Sequence, residues 1–172
     1  LGQAVLRAVA AHHRESMAAT LCREYGLPRD FRPVPIQGSC GNDRKAGADK
    51  MIMNRLAALP HTQVDDVATQ LGGDGAILVD YVTWLVGRIR DLAGSQYRPT
   101  IHLDVHGAIG HIFSGNTDRI VAYLAKLRET ARPYPLRVES VVMAESLSAQ
   151  IEAFGNIRTA LRAQGEEVEL VA

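Results

Sequence analysis

From residue 33 to the end of the chain, apolar positions follow two alternating patterns: short runs rich in β-branched residues, and longer stretches with the i, i+3, i+4 spacing of a helix face. The firmest helix is 75–93, where Ile77, Leu78, Tyr81, Val82, Leu85, Ile89 and Leu92 fall on one stripe. The clearest strand is 100–106, which alternates strictly through Ile101, Leu103 and Val105 and is ended by Gly107. The pattern predicts further helices over 49–59, 117–131 (with Asn116 as N-cap) and 148–164 (stopped by Gly165). Further strands are predicted over 34–37, 136–142 and 168–171, and a weaker one over 59–64, demoted by Pro60. Before this region, residues 1–25 read as one or two helical stretches ended by Gly26 and Pro28, and Pro28, Pro33 and Pro35 mark a linker. A boundary near residue 32 separates 1–32 from 33–172.

Five short β-prone runs separated by four helical segments make an α/β chain. Parallel strands joined by helical crossovers build either an open doubly wound sheet or a closed (β/α)8 barrel, and spacing alone does not choose between them. No glycine-rich phosphate loop follows the first strand, so the usual reason for an open sheet is missing. A full barrel needs about 250 residues, so the barrel reading is partial, with about five of its eight strands. Such a half-barrel is expected to expose two strand edges and a broad apolar inner face.

Composition narrows the possible partners. The 172 residues carry 19 Lys+Arg against 19 Asp+Glu, which argues against a broad electrostatic grip on nucleic acid or an anionic membrane surface. At 47% hydrophobic and 22% charged the chain is expected to bury a core, and no apolar run reaches the roughly 18 residues of a membrane span. Cys22 and Cys40 are too few for a disulfide framework, so a reducing, cytoplasmic setting is expected. The chain begins with Leu1 inside a helix-like pattern and ends at Ala172 on a strand-like one, which reads as a fragment of a longer protein.

In parallel βα folds functional side chains gather at the C-terminal ends of strands. His102, Asp104 and His106 alternate along one strand and so share a face. An acid between Leu103 and Val105 is costly to bury unless it is paired or bound to a cation; otherwise that face is solvated. Glu139, between Val138 and Ser140, repeats the arrangement on the next strand. Two carboxylates on neighbouring strands offer hard oxygen ligands suited to Mg2+, Mn2+ or Ca2+, with a third wanted from the strand that follows. His61, near the end of the weak strand, is placed to donate to a carboxylate or exchange protons, or else is structural. His12, His13 and His111 read as surface or packing residues, and Arg44 as an ion-pair partner in a loop. Ser39 lacks a GxSxG elbow and Cys40 any local catalytic signature.

The segment Thr100-Ile-His-Leu-Asp-Val-His-Gly-Ala-Ile-Gly110, with Asp49-Lys-Met-Ile52, Leu59-Pro-His61 and Gly41-Asn-Asp-Arg44, resembles methylaspartate ammonia-lyase of the enolase superfamily. The resemblance runs over the whole chain and is strongest at 98–113. It implies a TIM-like (β/α) barrel preceded by an α+β capping domain, with residues 1–32 the helical end of that domain and 33–172 the first part of the barrel. It further implies Mg2+ held by three carboxylates on successive strands, and conversion of the amino acid L-threo-3-methylaspartate to mesaconate and ammonia by a homodimer. Asp104 and Glu139 then fall on the first two metal ligands. His61 falls on the histidine that contacts the substrate carboxylate region, and the third ligand and a lysine base lie beyond Ala172. Ser39 stands where the family has a substrate-binding glutamine, Gln37 replaces an apolar neighbour, and Glu139-Ser-Val-Val-Met143 replaces Glu-Gly-Pro-Val-Asp. These departures leave room for a different carboxylate substrate within the superfamily, and a non-catalytic βα binding module is a third reading.

Overall fold

A computed structural model describes residues 2–41 and 43–172. Leu1 and Asn42, which the sequence reading puts in the first helix and in the loop before Arg44, lie outside the described residues. The chain divides into two compact units, Leu1–Val34 and Pro35–Ala172. The first holds α1 (Gly2–His13) and α2 (Met17–Tyr25). Ser16 caps α2 by accepting the Ala19 N–H, and Gly26 ends it in a left-handed conformation. Glu15 gathers Arg23 at 3.1 Å and Arg29 at 3.2 Å, tying the helix pair to the following turn.

The second unit runs α3 (Arg44–Met53), β1 (Ala58–Gln63), one turn of π-helix (Val67–Leu71), α4 (Ala76–Ala93), β2 (Thr100–Asp104), α5 (Ala108–Ile112), α6 (Thr117–Ala131), β3 (Leu136–Glu139), α7 (Leu147–Ala163) and β4 (Val168–Val171). The four strands form one parallel sheet in the order β1-β2-β3-β4. Each strand neighbours its successor in sequence, which is the order of a barrel and not of a doubly wound sheet. The barrel is partial and does not close.

The strand at 136–142 is shorter than expected, ending at Glu139, and the first strand and first helix of this unit also depart from expectation. The expected first strand is a single bridge, Gln37 to Ala58, although Gly38 N–H and Cys40 N–H still donate to Ala58 and Pro60 carbonyls. Pro60 explains the shortfall: its carbonyl faces residues 36–40, so its missing N–H falls on that same side and removes one rung. The proline demotes its neighbour rather than its own strand. The helix expected over 49–59 starts earlier, at Arg44, because Asp43 caps it through the Ala46 N–H, and it ends at Met53.

Alternation along the strands sorts the sheet into two unlike faces. Leu59, Ile101, Leu103, Leu136 and Val138 are fully buried in a core shared with Leu78, Val82, Leu85 and Ile89 of α4 and Ile120, Leu124 and Leu127 of α6. Ile77 and Leu92 lie at the edge of the α4 stripe and stay partly exposed. The register pairs His102 with Arg137 and Asp104 with Glu139 across β2 and β3, then Arg137 with Glu169 across β3 and β4. The face away from the helices is therefore charged, not the broad apolar surface expected of a half-barrel; Arg137 and Glu169 pair across it at 2.9 Å. No helix among the described residues is long and apolar enough to cross a membrane.

Candidate metal centre

The charged face reaches the C-terminal ends of the strands as a cluster of two carboxylates and three imidazoles. Asp104 and Glu139 are register partners on adjacent strands, so their side chains start side by side. His61 gets there by a bulge: Pro60 pairs with His102 and Thr62 with Leu103, leaving His61 as the unpaired residue of β1, at φ 45°. The bulge turns its ring onto the charged face, where Nε2 lies 3.3 Å from Glu139 Oε2 and 3.9 Å from Asp104 Oδ2. Both carboxylates thus converge on one nitrogen. His106 and Ser140, just past the ends of β2 and β3, also hold left-handed backbones, at φ 44° and 54°. Three such non-glycine residues at three consecutive strand ends represent strain of order 1–3 kcal/mol each, sustained by the surrounding ladder.

His102 is the most enclosed member, its side chain 4% exposed. Its Nδ1 lies 2.8 Å from Gln37 Oε1, and its Nε2 lies 3.0 Å from Glu139 Oε2. That second approach is too poorly aligned for a hydrogen bond, and the buried Nε2 has no hydrogen-bond partner. Burial, and then the neighbouring His61 ring, push the His102 pKa down against the pull of Glu139. A ring held neutral, with Nδ1–H donated to Gln37, turns a bare lone pair toward a carboxylate. The His61 and His102 rings meet edge to face at 4.9 Å.

The donor set fits a divalent cation. The His61 and His102 nitrogens and a Glu139 oxygen lie within 4.8 Å of one another, and the orphaned His102 nitrogen and the buried, anionic-type side chain of Asp104 both gain from positive charge between them. Asp104 and Glu139, the ligands expected from sequence, are joined by His102, which the same period-two alternation put on their face without giving it a role. Gln37, marked in the sequence only as a departure from the family, reaches His102 on a strand two positions away in the sheet, a contact beyond reach of sequence. Ser39 is exposed and lines a separate hollow with Cys40, Gly47, Lys50, Met51, Asn54 and Leu56. Arg44 forms no ion pair among the described residues: it donates to Thr62 Oγ1 at 2.8 Å and stacks over Tyr81 at 4.1 Å.

A parallel βα sheet in barrel order, with a carboxylate–imidazole cluster at the C-terminal ends of its strands, defines the class as that of (β/α) barrel proteins, whose functional groups gather at that end. The family model described as methylaspartate ammonia-lyase C-terminus matches residues 30–172, and the chain belongs to that family of carbon–nitrogen lyases. It is similar to methylaspartate ammonia-lyase 2 of Carboxydothermus hydrogenoformans, at 42% identity over 172 residues, covering 100% of this chain and 41% of the relative. It is also similar to methylaspartate ammonia-lyase of Clostridium tetanomorphum, at 36% identity over 99% of this chain and 41% of the relative. Among solved structures, the magnesium complex of β-methylaspartase from Clostridium tetanomorphum superposes with a TM-score of 0.79 at 36% identity, over 98% of this chain and 41% of that one. The Citrobacter amalonaticus methylaspartate ammonia-lyase containing (2S,3S)-3-methylaspartic acid gives 0.78 at 36% identity, with the same coverage of both chains. The chain thus spans about two fifths of the length of these relatives.

Proposed function

We propose that this chain forms the first part of the barrel of a methylaspartate ammonia-lyase, which removes ammonia from L-threo-3-methylaspartate to give mesaconate, with Mg2+ bound by Asp104 and Glu139. The observation that carries the reading is the convergence of both carboxylates on His61 Nε2, at 3.9 and 3.3 Å. Two relatives support it: one solved as a magnesium complex, the other containing 3-methylaspartic acid.

A proton next to a carboxylate is far too weakly acidic to leave at neutral pH, and a bound divalent cation supplies the positive charge that lowers this barrier. The chain's own residues do the rest of the positioning. Asp104 and Glu139 present oxygens from neighbouring strands, fixed by the β2–β3 ladder. His61, aimed by its bulge and 18% exposed at its side chain, is the polar group at the mouth best placed to donate to a substrate carboxylate. His102, held by Gln37 through Nδ1, presents its unpartnered Nε2 3.0 Å from the same Glu139 oxygen. Gln37, on His102, favours as a second reading the same chemistry on a different carboxylate substrate.

Incubating the full-length protein with Mg2+ and L-threo-3-methylaspartate, and following ultraviolet absorbance of the unsaturated diacid, tests the reading. Mesaconate and ammonia in equal amounts, abolished by a chelator and restored by Mg2+, are expected. Intact substrate beside a protein that binds Mg2+ would exclude this substrate and turn the reading to the second.

A further inference from the structure

Asp104 is 4% exposed, and its partners come from a short line of residues that begins outside the cluster. Its Oδ2 lies 2.9 Å from His106 Nε2, and its Oδ1 accepts weakly, at 3.4 Å, from the His106 backbone N–H. The other side of the same ring faces Asp65, with Nδ1 3.2 Å from Oδ1. Asp65 sits on a fixed segment: its N–H and that of Asp66 donate to Gln70 Oε1 at 2.7 and 3.0 Å, and the preceding Val64 N–H donates to the Asp104 carbonyl at 3.0 Å. The ring is folded back over Asp104 because His106 and Gly107 take successive left-handed conformations, at φ 44° and 76°, before α5 begins. An ordinary extended residue after β2 would carry the imidazole away from the carboxylate.

We infer that His106, anchored by Asp65, is a positioning residue for Asp104: it holds Oδ2, the oxygen that also faces His61 at 3.9 Å, in place at the cation site. This rests on the metal reading above. Outer-shell groups of this kind fix the orientation of a ligating side chain, and their loss typically weakens metal binding about ten- to hundredfold. His106 is 42% exposed at its side chain and Asp65 60%, so neither is needed for the core.

Calorimetric titration of the full-length protein with Mg2+ alone, at one fixed pH, tests the inference. His106→Phe is expected to weaken Mg2+ binding by roughly tenfold or more. His106→Gln, which keeps a side-chain donor, is expected to recover most of that loss, and Asp65→Asn to weaken binding in the same direction with an unchanged melting temperature. A merely structural role would move the melting temperature and leave the affinity alone. Binding by His106→Phe or Asp65→Asn as tight as that of the parent protein would overturn the inference while leaving the metal reading intact, and tighter binding would show that the imidazole competes with the cation. Failure of the parent protein to bind Mg2+ would overturn both.

Discussion

At the scale of single residues, the decisive event is the one-residue bulge that releases His61 from the β1 ladder and turns it toward Asp104 and Glu139. Without it, strict alternation would give this position to the next face along. Glu139 then carries the heaviest load, since its Oε2 is 3.3 Å from His61 and 3.0 Å from His102. Glu139→Gln keeps the shape and removes the charge. It is expected to weaken Mg2+ binding by roughly tenfold or more while leaving the unfolding midpoint nearly unchanged, which titration and a thermal melt on the same sample would check. Asp104 was legible because an acid flanked by apolar neighbours in a strand stands out, and Glu139 because it repeats the acid on the next strand. The bulge at His61 and the reach of Gln37 to His102 were not, because both depend on register, and register is set by strand pairing that no local pattern encodes.

At the scale of elements, two contacts hold the helices that frame the site. Asp49 of α3 and Arg88 of α4 form a bidentate pair at 2.7 and 2.8 Å, and the Arg88 hydrogen bond holds the Asp49 carboxyl below its ordinary value despite an opposing effect of burial. A depressed carboxylate stabilises the fold above its unfolded pKa of about 3.9, and this contribution is lost as pH falls through the folded value. Arg88→Met is therefore expected to lower the melting temperature at pH 7 and to have little effect in strong acid, as parallel melts across that range would show. Gly75, at φ 82°, starts α4 with its carbonyl accepting the Tyr123 hydroxyl at 2.8 Å, and a Cβ there would overlap the Tyr123 ring. Gly75→Ala is expected to destabilise by roughly 1–3 kcal/mol from backbone strain alone, whereas Gly73→Ala, with open space around it, is expected to be near neutral in denaturant unfolding. Elements with a long apolar period, such as α4 and α6, were legible almost to their ends, since burial of one stripe fixes both type and extent. The stretch at 34–37 was not, because Pro60 on its neighbour decides how much of a ladder it forms.

At the scale of the whole molecule, order and polarity of the sheet separate a barrel segment from an open sheet. Consecutive parallel strands covered on one face by helices, with charged residues on the other, are what the wall of a barrel requires near its mouth. Composition and the β/α rhythm fixed the class, and the resemblance supplied the barrel; the charged inner face emerged only when His102, Asp104, Arg137, Glu139 and Glu169 were paired across strands. That face brings two carboxylates together on adjacent strands, and they are the core of the proposed cation site. The most direct measurement is the anomalous diffraction of a crystal of the full-length protein grown with Mn2+ in place of Mg2+. A single strong peak about 2.2 Å from an oxygen of Asp104 and an oxygen of Glu139 is the expected result. A map with no peak between them, or with the two carboxylates turned apart, would contradict it.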